Sequence, residues 1–249
     1  MVSVFRYHEI SESSHRILNP ISIDKVLLLG DICRVGRETT ILDLACGKGE
    51  MLCLFASEFG ASGVGIDLFE PYLNQARARA VELGVESSVS FVTGDAGRPP
   101  VFERSFNLVS CLGATWIGGG LAGTLGLMQT LAKPGSWLLV GEPYWAEPPS
   151  AELEERYGTG NEGCTHLSGT LDRFEAAGVD LVEMVLASHD DWDRYETSQW
   201  LNVSEWLAAN PDEPDAAEIR EERDDSRRKY LAEERRCLGW GVFVLRDRR

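Results

Sequence analysis

An α/β domain built on a mostly parallel sheet is predicted by three features of the 249-residue chain. Short β-rich runs alternate with helical patterns, as βαβ crossovers require. A hydrophobic fraction of 43% against 26% charged supplies a sizeable core. The run Ile41-Leu42-Asp43-Leu44-Ala45-Cys46-Gly47-Lys48-Gly49-Glu50 passes from a strand through a small-residue turn into a helix. At this length one large domain, or one domain with a lid, is the expected organisation.

Each element follows from local signals. A helix around Ser22–Cys33 precedes the first strand, Thr40–Leu44. The helix Glu50–Phe59 closes on Gly60 and leads to the strand Gly63–Asp67. The next helix, Pro71–Leu83, starts on a proline, whose missing donor has no intrahelical partner in a first turn, and closes on Gly84. Strands follow at Val89–Thr93 and Phe106–Cys111, then a helix Leu121–Ala132 stopped by Pro134, then a strand Ser136–Gly141. The alternation then lapses. Pro143, Pro148, Pro149, Gly158, Gly160 and Gly163 predict a long loop or short-helix excursion over 143–166, a length that in compact domains signals function or disorder. A helix Leu167–Ala177 ends at Gly178, and Asp180–Ser188 reads as a strand. From Asp190, a candidate N-cap, to about Asn210 a helix carries Trp192, Tyr195, Gln199, Val203, Trp206 and Leu207 on one face. Pro211 and Pro214 break it, a charged helix runs to about Arg235, and Trp240–Leu245 makes a last strand.

The net charge of −16 is unevenly placed: residues 142–235 hold 25 acidic and 9 basic side chains, while the remainder carries 15 of each sign. Such a chain repels phosphate backbones and anionic membrane surfaces, which argues against nucleic acid and membrane as partners. The start of the chain has no apolar stretch of signal-peptide length, and no window approaches the roughly 18 apolar residues of a membrane span, so a cytoplasmic location is expected. The six cysteines, at 33, 46, 53, 111, 164 and 237, never fall in a zinc-ribbon or thioredoxin-like spacing, so reduced packing residues and no metal site are expected. No pattern fixes an oligomeric state.

Chemistry concentrates at residues 43–49. Glycines in such a turn let the backbone approach a ligand, and the following helix start offers free N–H groups. Twenty-four residues after Asp43 a strand ends in Asp67, the position from which an acid accepts ribose hydroxyl protons, with Leu68 beside it. A nicotinamide fingerprint needs a third small residue three places after the second glycine, but Gly49 is followed by Glu50, Met51 and Leu52. Asp43, at the end of the first strand, suits an ammonium group better than a pyrophosphate. Gly94-Asp95-Ala96 places a third acid just past the third strand, where it can accept from an adenine amino group. Together these points describe a nucleoside carrying an amino acid.

On these residues the chain resembles the class I S-adenosylmethionine-dependent methyltransferases, over roughly residues 38–142. Asp43 through Gly49 matches the family's glycine-rich motif, with Ala45 where many members have glycine; Asp67 matches its ribose acid and Asp95-Ala96 its adenine-side motif. The stretches 10–20, 113–117, 141–145, 192–195 and 239–243 are similar to a group of bacterial small-molecule-type members. The resemblance implies a Rossmann-like seven-stranded sheet with its last strand antiparallel. It also implies S-adenosylmethionine as cofactor, with Asp43, Ala45, Gly47, Gly49, Asp67, Leu68, Asp95, Ala96 and Cys111 around it, and a single domain whose residues 1–37 cap a 38–142 core. Lid insertions are then expected at 143–166 and 190–235, covering a small-molecule substrate. Cys111-Leu112-Gly113-Ala114 stands where methyltransferases acting on nucleic-acid amines carry an Asn/Asp-Pro-Pro-aromatic signature.

Methyl transfer from a sulfonium is an in-line displacement in which positioning supplies much of the rate, and a base is needed only where the acceptor loses a proton early. The candidate catalytic residues are Glu142, Tyr144 and Trp116, with His15 and His166 as further bases. For Glu142 the alternative is a helix cap or an arginine pair, and for His166 an ordinary loop histidine. Trp116, Tyr144 and Trp145 offer aromatic faces to a cation, or simply pack. Residues 15–20 either fold over the cofactor, with Arg16 near its carboxylate, or cap the sheet. Acids around Glu142 and Glu147 facing the acceptor would favour a neutral or cationic substrate. A non-catalytic S-adenosylmethionine-binding module and a nicotinamide oxidoreductase remain the alternative functions.

Overall fold

The computed structural model describes residues 4–103, 105–158 and 163–248. Its sheet has seven strands: β1 (Thr40–Leu44), β2 (Ser62–Asp67), β3 (Val89–Thr93), β4 (Phe106–Leu112), β5 (Ala132–Trp145), β6 (Val179–Leu186) and β7 (Leu238–Asp247). Their order across the sheet is β3-β2-β1-β4-β5-β7-β6. The first five strands are parallel to one another, and β7 inserts antiparallel to both β5 and β6. The order reverses at β1, so the crevice beyond the carboxyl ends of β1 and β4 is where such sheets take ligands.

The helices are α1 (Val4–Ser11), α2 (Ile23–Ile32), α3 (Glu50–Phe59), α4 (Glu70–Glu82), α5 (Leu121–Leu131), α6 (Ala151–Arg156), α7 (Leu167–Ala176), α8 (His189–Ala209), α9 (Ala216–Lys229) and the short α10 (Arg235–Cys237), with a π-helical turn Tyr230–Glu234 before α10. Successive strand residues point to opposite faces. Ile41, Leu108, Leu139 and Val244 therefore join the core under α2, α3 and α4, while Leu42, Val109, Leu138 and Phe243 join the one under α5 and α7. Phe174 of α7 is fully buried and its ring meets Phe243 of β7 at 5.2 Å.

Three expectations are corrected. β5 runs on through Trp145, because Glu142–Trp145 pair with Leu238–Gly241 of β7, so the excursion after it starts later and contains α6. The N-cap of α8 is Ser188, not Asp190: Ser188 and Asp191 form a reciprocal capping box, and Asp191 also binds Lys25 of α2 at 2.5 Å. The N-terminal residues, for which the sequence suggested no element before Ser22, form α1, which packs on α8 through Ile10, Val203 and Leu207. Phe174→Ala is expected to cost about 3–5 kcal/mol, read as a lowered denaturant midpoint with an unchanged slope.

Candidate functional site

The turn after β1 is shaped by backbone that side chains rarely adopt. Ala45, Gly47 and Gly49 have φ of 56°, 55° and 67°. A Cβ on Gly47 would lie 2.8 Å from Leu18, and one on Gly49 2.4 Å from the Phe91 ring. Ala45 is the exception, a non-glycine residue holding a left-handed conformation at a cost of about 1–2 kcal/mol. The helix start behind the turn is stiffened by Glu50, which is buried and gripped by the Arg79 guanidinium at 2.8–3.2 Å.

The acids expected around a nucleoside converge here. Asp67 accepts the Gly47 N–H at 2.8 Å on one oxygen and the Phe69 N–H at 2.9 Å on the other, so it is locked against the glycine turn with lone pairs to spare. Asp43 is 4% exposed, and the Ser110 hydroxyl donates to it at 2.7 Å. Burial, with the charge of Asp67 adding to it, pushes its carboxyl up to about 7 against the pull of that hydrogen bond. Among the described residues no cation pairs with this buried acid. Asp95 is exposed and accepts the Gly97 N–H, Ala96 is buried between β1 and β2 side chains, and Leu68 stands 65% exposed beside Asp67. The Cys111 side chain is fully buried in the core under α5 and α7, and burial raises its thiol.

Lys48, which sequence reasoning passed over, holds the N-terminal segment across this crevice. It is 4% exposed and its Nζ donates to the carbonyls of Glu12 and His15 at 2.7 and 2.8 Å. Glu12 is itself buried; burial pushes its carboxyl up, but His8 and the hydroxyls of Tyr195 and Tyr72 together hold it below the ordinary range. The Tyr72 and Tyr195 hydroxyls reach it at 2.9 and 2.8 Å. Further along, Asn19 donates to the carbonyl of Leu112, and a Cβ on Gly113 would strike Asn19 at 2.4 Å. No local pattern announces this latch, because a lysine between Gly47 and Gly49 reads as an ordinary turn residue until its partners are placed. Arg16, expected near a cofactor carboxylate, instead reaches Glu82 on α4 at 3.3 Å, both side chains about half exposed.

Beyond the ends of β4 and β5 lies a cavity of about 410 Å³, lined among others by Thr115, Trp116, Glu142, Tyr157, Cys164 and Arg173. The Thr115 hydroxyl donates to Glu142, and Arg173 donates to the carbonyl of Gly163 at 2.7 Å. Trp116 sits on a 3₁₀ turn Thr115–Gly118 and is 73% exposed, a wall rather than core. Tyr144 is not among the cavity-lining residues: its ring packs over Gly239 in the α5 and α7 core. Trp145 likewise packs on Tyr157, Leu153 and Leu238, His166 is tied to the Trp145 carbonyl at 3.0 Å, and Glu147 pairs with Arg236 on the surface at 2.5 Å. His15 stacks on Tyr195 with ring centroids 4.9 Å apart and bonds Ser198 through Nε2, leaving a buried Nδ1 without a partner.

Comparison with known proteins agrees with this geometry. Residues 41–135 match the methyltransferase domain family. The chain is 43% identical over 242 residues to the uncharacterized protein YjhP of Escherichia coli (strain K12), covering 96% of this chain and 97% of that one. A SAM-dependent methyltransferase from Geobacter sulfurreducens, solved with S-adenosyl-L-homocysteine, superposes with a TM-score of 0.91 at 44% identity over 98% of this chain and 99% of that one. A Thiobacillus denitrificans methyltransferase with the same ligand gives 0.90 at 40% identity, covering 98% and 99%. The chain belongs to the S-adenosylmethionine-dependent methyltransferases. As a methyltransferase it takes S-adenosylmethionine as cofactor, and its residues fit that group: a glycine cradle that a Cβ would fill, a locked acid with free lone pairs, and a buried Asp43 with no counter-ion among the described residues. Among the described residues no group of three His, Cys, Asp or Glu could hold a metal ion, and no helix is long and apolar enough to cross a membrane.

Two outcomes follow from the methyltransferase turn. Ala45→Gly relieves the left-handed strain, less the chain entropy that glycine adds, and is expected to raise unfolding free energy by about 0.5–1 kcal/mol in chemical denaturation. Lys48→Met removes two charge-assisted bonds and is expected to cost about 1.5–3 kcal/mol, with faster amide hydrogen exchange over residues 12–19 than in the parent.

Proposed function

We propose that this methyltransferase transfers the methyl group to a small molecule held in the 410 Å³ cavity, beneath a lid to which residues 4–37, 143–158, 163–166 and 190–235 contribute; residues 1–3 and 159–162 of the expected lid lie outside the described residues. The observation that carries this reading is the cavity's place: it opens beyond the ends of β4 and β5, directly next to the crevice framed by Asp43, Gly47 and Asp67. S-adenosylmethionine supplies the electrophilic methyl when bound. Asp67 accepts from the ribose hydroxyls, Asp95 from the adenine amino group beside Leu68 and Ala96, and Asp43 neutralises the amino-acid ammonium. Gly47 and Gly49 let the backbone approach, and the Cys111 backbone borders the reacting end.

In this arrangement Glu142 orients the acceptor and takes its proton. Thr115 fixes one Glu142 oxygen, so the carboxylate enters the reaction pre-positioned rather than rotating freely. Trp116 shields the path from water on the exposed side. His15 is the second candidate base: burial holds its imidazole below the usual range, and its buried Nδ1 has no hydrogen-bond partner among the described residues. A cavity of about 410 Å³ is of the size that takes a small molecule, and the acidity of residues 142–235 supports the same choice over a nucleic acid.

Titration calorimetry with S-adenosylhomocysteine tests the cofactor half. Asp67→Ala is expected to weaken binding at least tenfold, and undiminished affinity would overturn the assignment. Because the ligand's ammonium needs an ionised Asp43, whose carboxyl sits at about 7, parental affinity is expected to rise about tenfold from pH 6 to pH 8, and Asp43→Asn to flatten that rise. For the catalytic half, labelled methyl transfer into metabolite pools is expected for the parent and lowered about 10²-fold or more in Glu142→Gln with unchanged S-adenosylhomocysteine affinity. Transfer by neither protein would favour the non-catalytic binding module.

A further inference from the structure

The 410 Å³ cavity is not lined by acids alone. Among its described lining residues Glu142 is the one carboxylate and Arg173 the one cation. Glu147, the second acid that would turn the cavity toward a cation, lies on the surface against Arg236 at 2.5 Å. With Glu147 outside and Arg173 inside, a molecule that fills the cavity meets one charge of each sign.

The fold holds Arg173 in place. It lies on α7 next to Phe174, whose full burial against Phe243 of β7 fixes how the helix is turned about its own axis. The start of α7 is tied to β5, the strand that carries Glu142. Trp145 donates its N–H to the Thr165 carbonyl at 2.9 Å, and the His166 ring meets the Trp145 carbonyl through Nδ1 at 3.0 Å. Arg173 follows His166 by seven residues, or two turns, so it leaves the helix on the side of that tethered cap, about 10 Å further along the axis. Glu142 and Arg173 are therefore mounted on one braced unit, and their spacing is set before any ligand arrives.

The chemistry of the cavity wall favours an anion at the Arg173 end. The side chain is half-buried, and its Nη1 donates to the Gly163 carbonyl at 2.7 Å, which orients the guanidinium plane. A guanidinium carries five donors in a fixed fork whose shape matches the two oxygens of a carboxylate. Its single charge balances one negative charge, which suits a carboxylate over a phosphate dianion. The start of α5 lines the same cavity through Gly120 and Leu121, and with no side chain capping it, it adds a preference for a negative group. Glu142 repels an anion from its own end, so the two charges also fix which way round a bound molecule lies. Trp116 and Tyr157 supply ring surface for its body.

We propose that Arg173 is the specificity-determining residue of the cavity and receives a carboxylate on the methyl acceptor, which assigns the substrate to small carboxylate-bearing molecules whose nucleophilic group is turned toward Glu142. A neutral molecule gains nothing from the guanidinium, and a cation is repelled by it. This rests on reading the cavity as the acceptor site.

The test titrates three near-isosteres of different charge, benzoate, benzamide and benzamidine, together with phenyl phosphate, into the full chain with and without S-adenosylhomocysteine. Heat and tryptophan fluorescence are followed at fixed ionic strength. Benzoate is expected to bind at least tenfold more tightly than benzamide, and benzamidine and phenyl phosphate more weakly than benzoate. Arg173→Gln is expected to bring benzoate to within about twofold of benzamide while S-adenosylhomocysteine affinity stays unchanged. Arg173→Lys, which keeps the charge and loses the fork, is expected to retain part of the preference. Equal binding of benzoate and benzamide, tighter binding of benzamidine or phenyl phosphate, or binding of none of the probes by the parent would each overturn the proposal. So would a preference for benzoate that survives Arg173→Gln in a protein still binding S-adenosylhomocysteine. The ranking by the parent decides the matter where the variant does not fold. A benzoate preference without methyl transfer into metabolite pools would instead overturn the reading of the protein as a catalyst, and leave the anion site standing.

Discussion

Burying one ammonium group in a glycine turn constrains most of this molecule. Lys48 sits where the chain must stay small, between Gly47 and Gly49, yet it carries a charge that cannot be left in an apolar interior without compensation. The compensation comes from the carbonyls of Glu12 and His15, which fixes the N-terminal segment over the ends of the strands. That segment brings the Glu12 carboxylate near the same charge, and the carboxylate in turn collects Tyr72 from α4 and Tyr195 from α8. Three elements far apart in sequence are thus tied to one turn. The orientation of α8 then follows, because Tyr195 also donates to the Leu18 carbonyl and Asn202 to the Ser11 carbonyl.

The sheet contributes the other half of the site by its order. Because β4 lies beside β1 rather than beside β3, the turns after β1 and β4 diverge to opposite sides and leave a crevice between them. The crevice is floored by main chain, since Gly113 donates to Gly141 across β4 and β5 and no side chain fits where Asn19 approaches. The insertion of β7 between β5 and β6 extends β5 by four residues past its parallel pairing. This extension carries Glu142 to the mouth of the cavity and places Tyr144, two residues on and on the same face, under the cover of Gly239. A single strand therefore delivers one acid to solvent-filled space and one phenol to core.

That division explains which parts of the site could be read from sequence. Asp43, Gly47, Gly49 and Asp67 declare themselves because the backbone geometry they serve demands those residue types at those spacings. Glu142 and Trp116 line the cavity from positions the sequence marks, past the predicted end of the fifth strand and past β4. Tyr144 and Trp145 were not distinguishable from them, because whether an aromatic ring lines a cavity or fills a core depends on β7, which arrives ninety residues later. Arg16 failed for a related reason: its charge sits one residue from the carbonyl that Lys48 holds, and the latch turns its side chain outward to Glu82. Lys48 and α1 depend on each other and on α8, so neither has a local pattern that announces it.

The uneven charge takes on a different meaning once the acids are placed. Most of the excess in residues 142–235 lies on solvated faces, where pairs such as Asp190–Arg194, Asp225–Lys229 and Glu152–Arg156 follow helix spacing. Surface pairs of this kind contribute little to stability, so nothing in them accounts for keeping an acid inside. Glu142 is the acid of this region that lines the cavity. Glu142 is braced by Thr115, which suits a group whose position matters to a reacting atom.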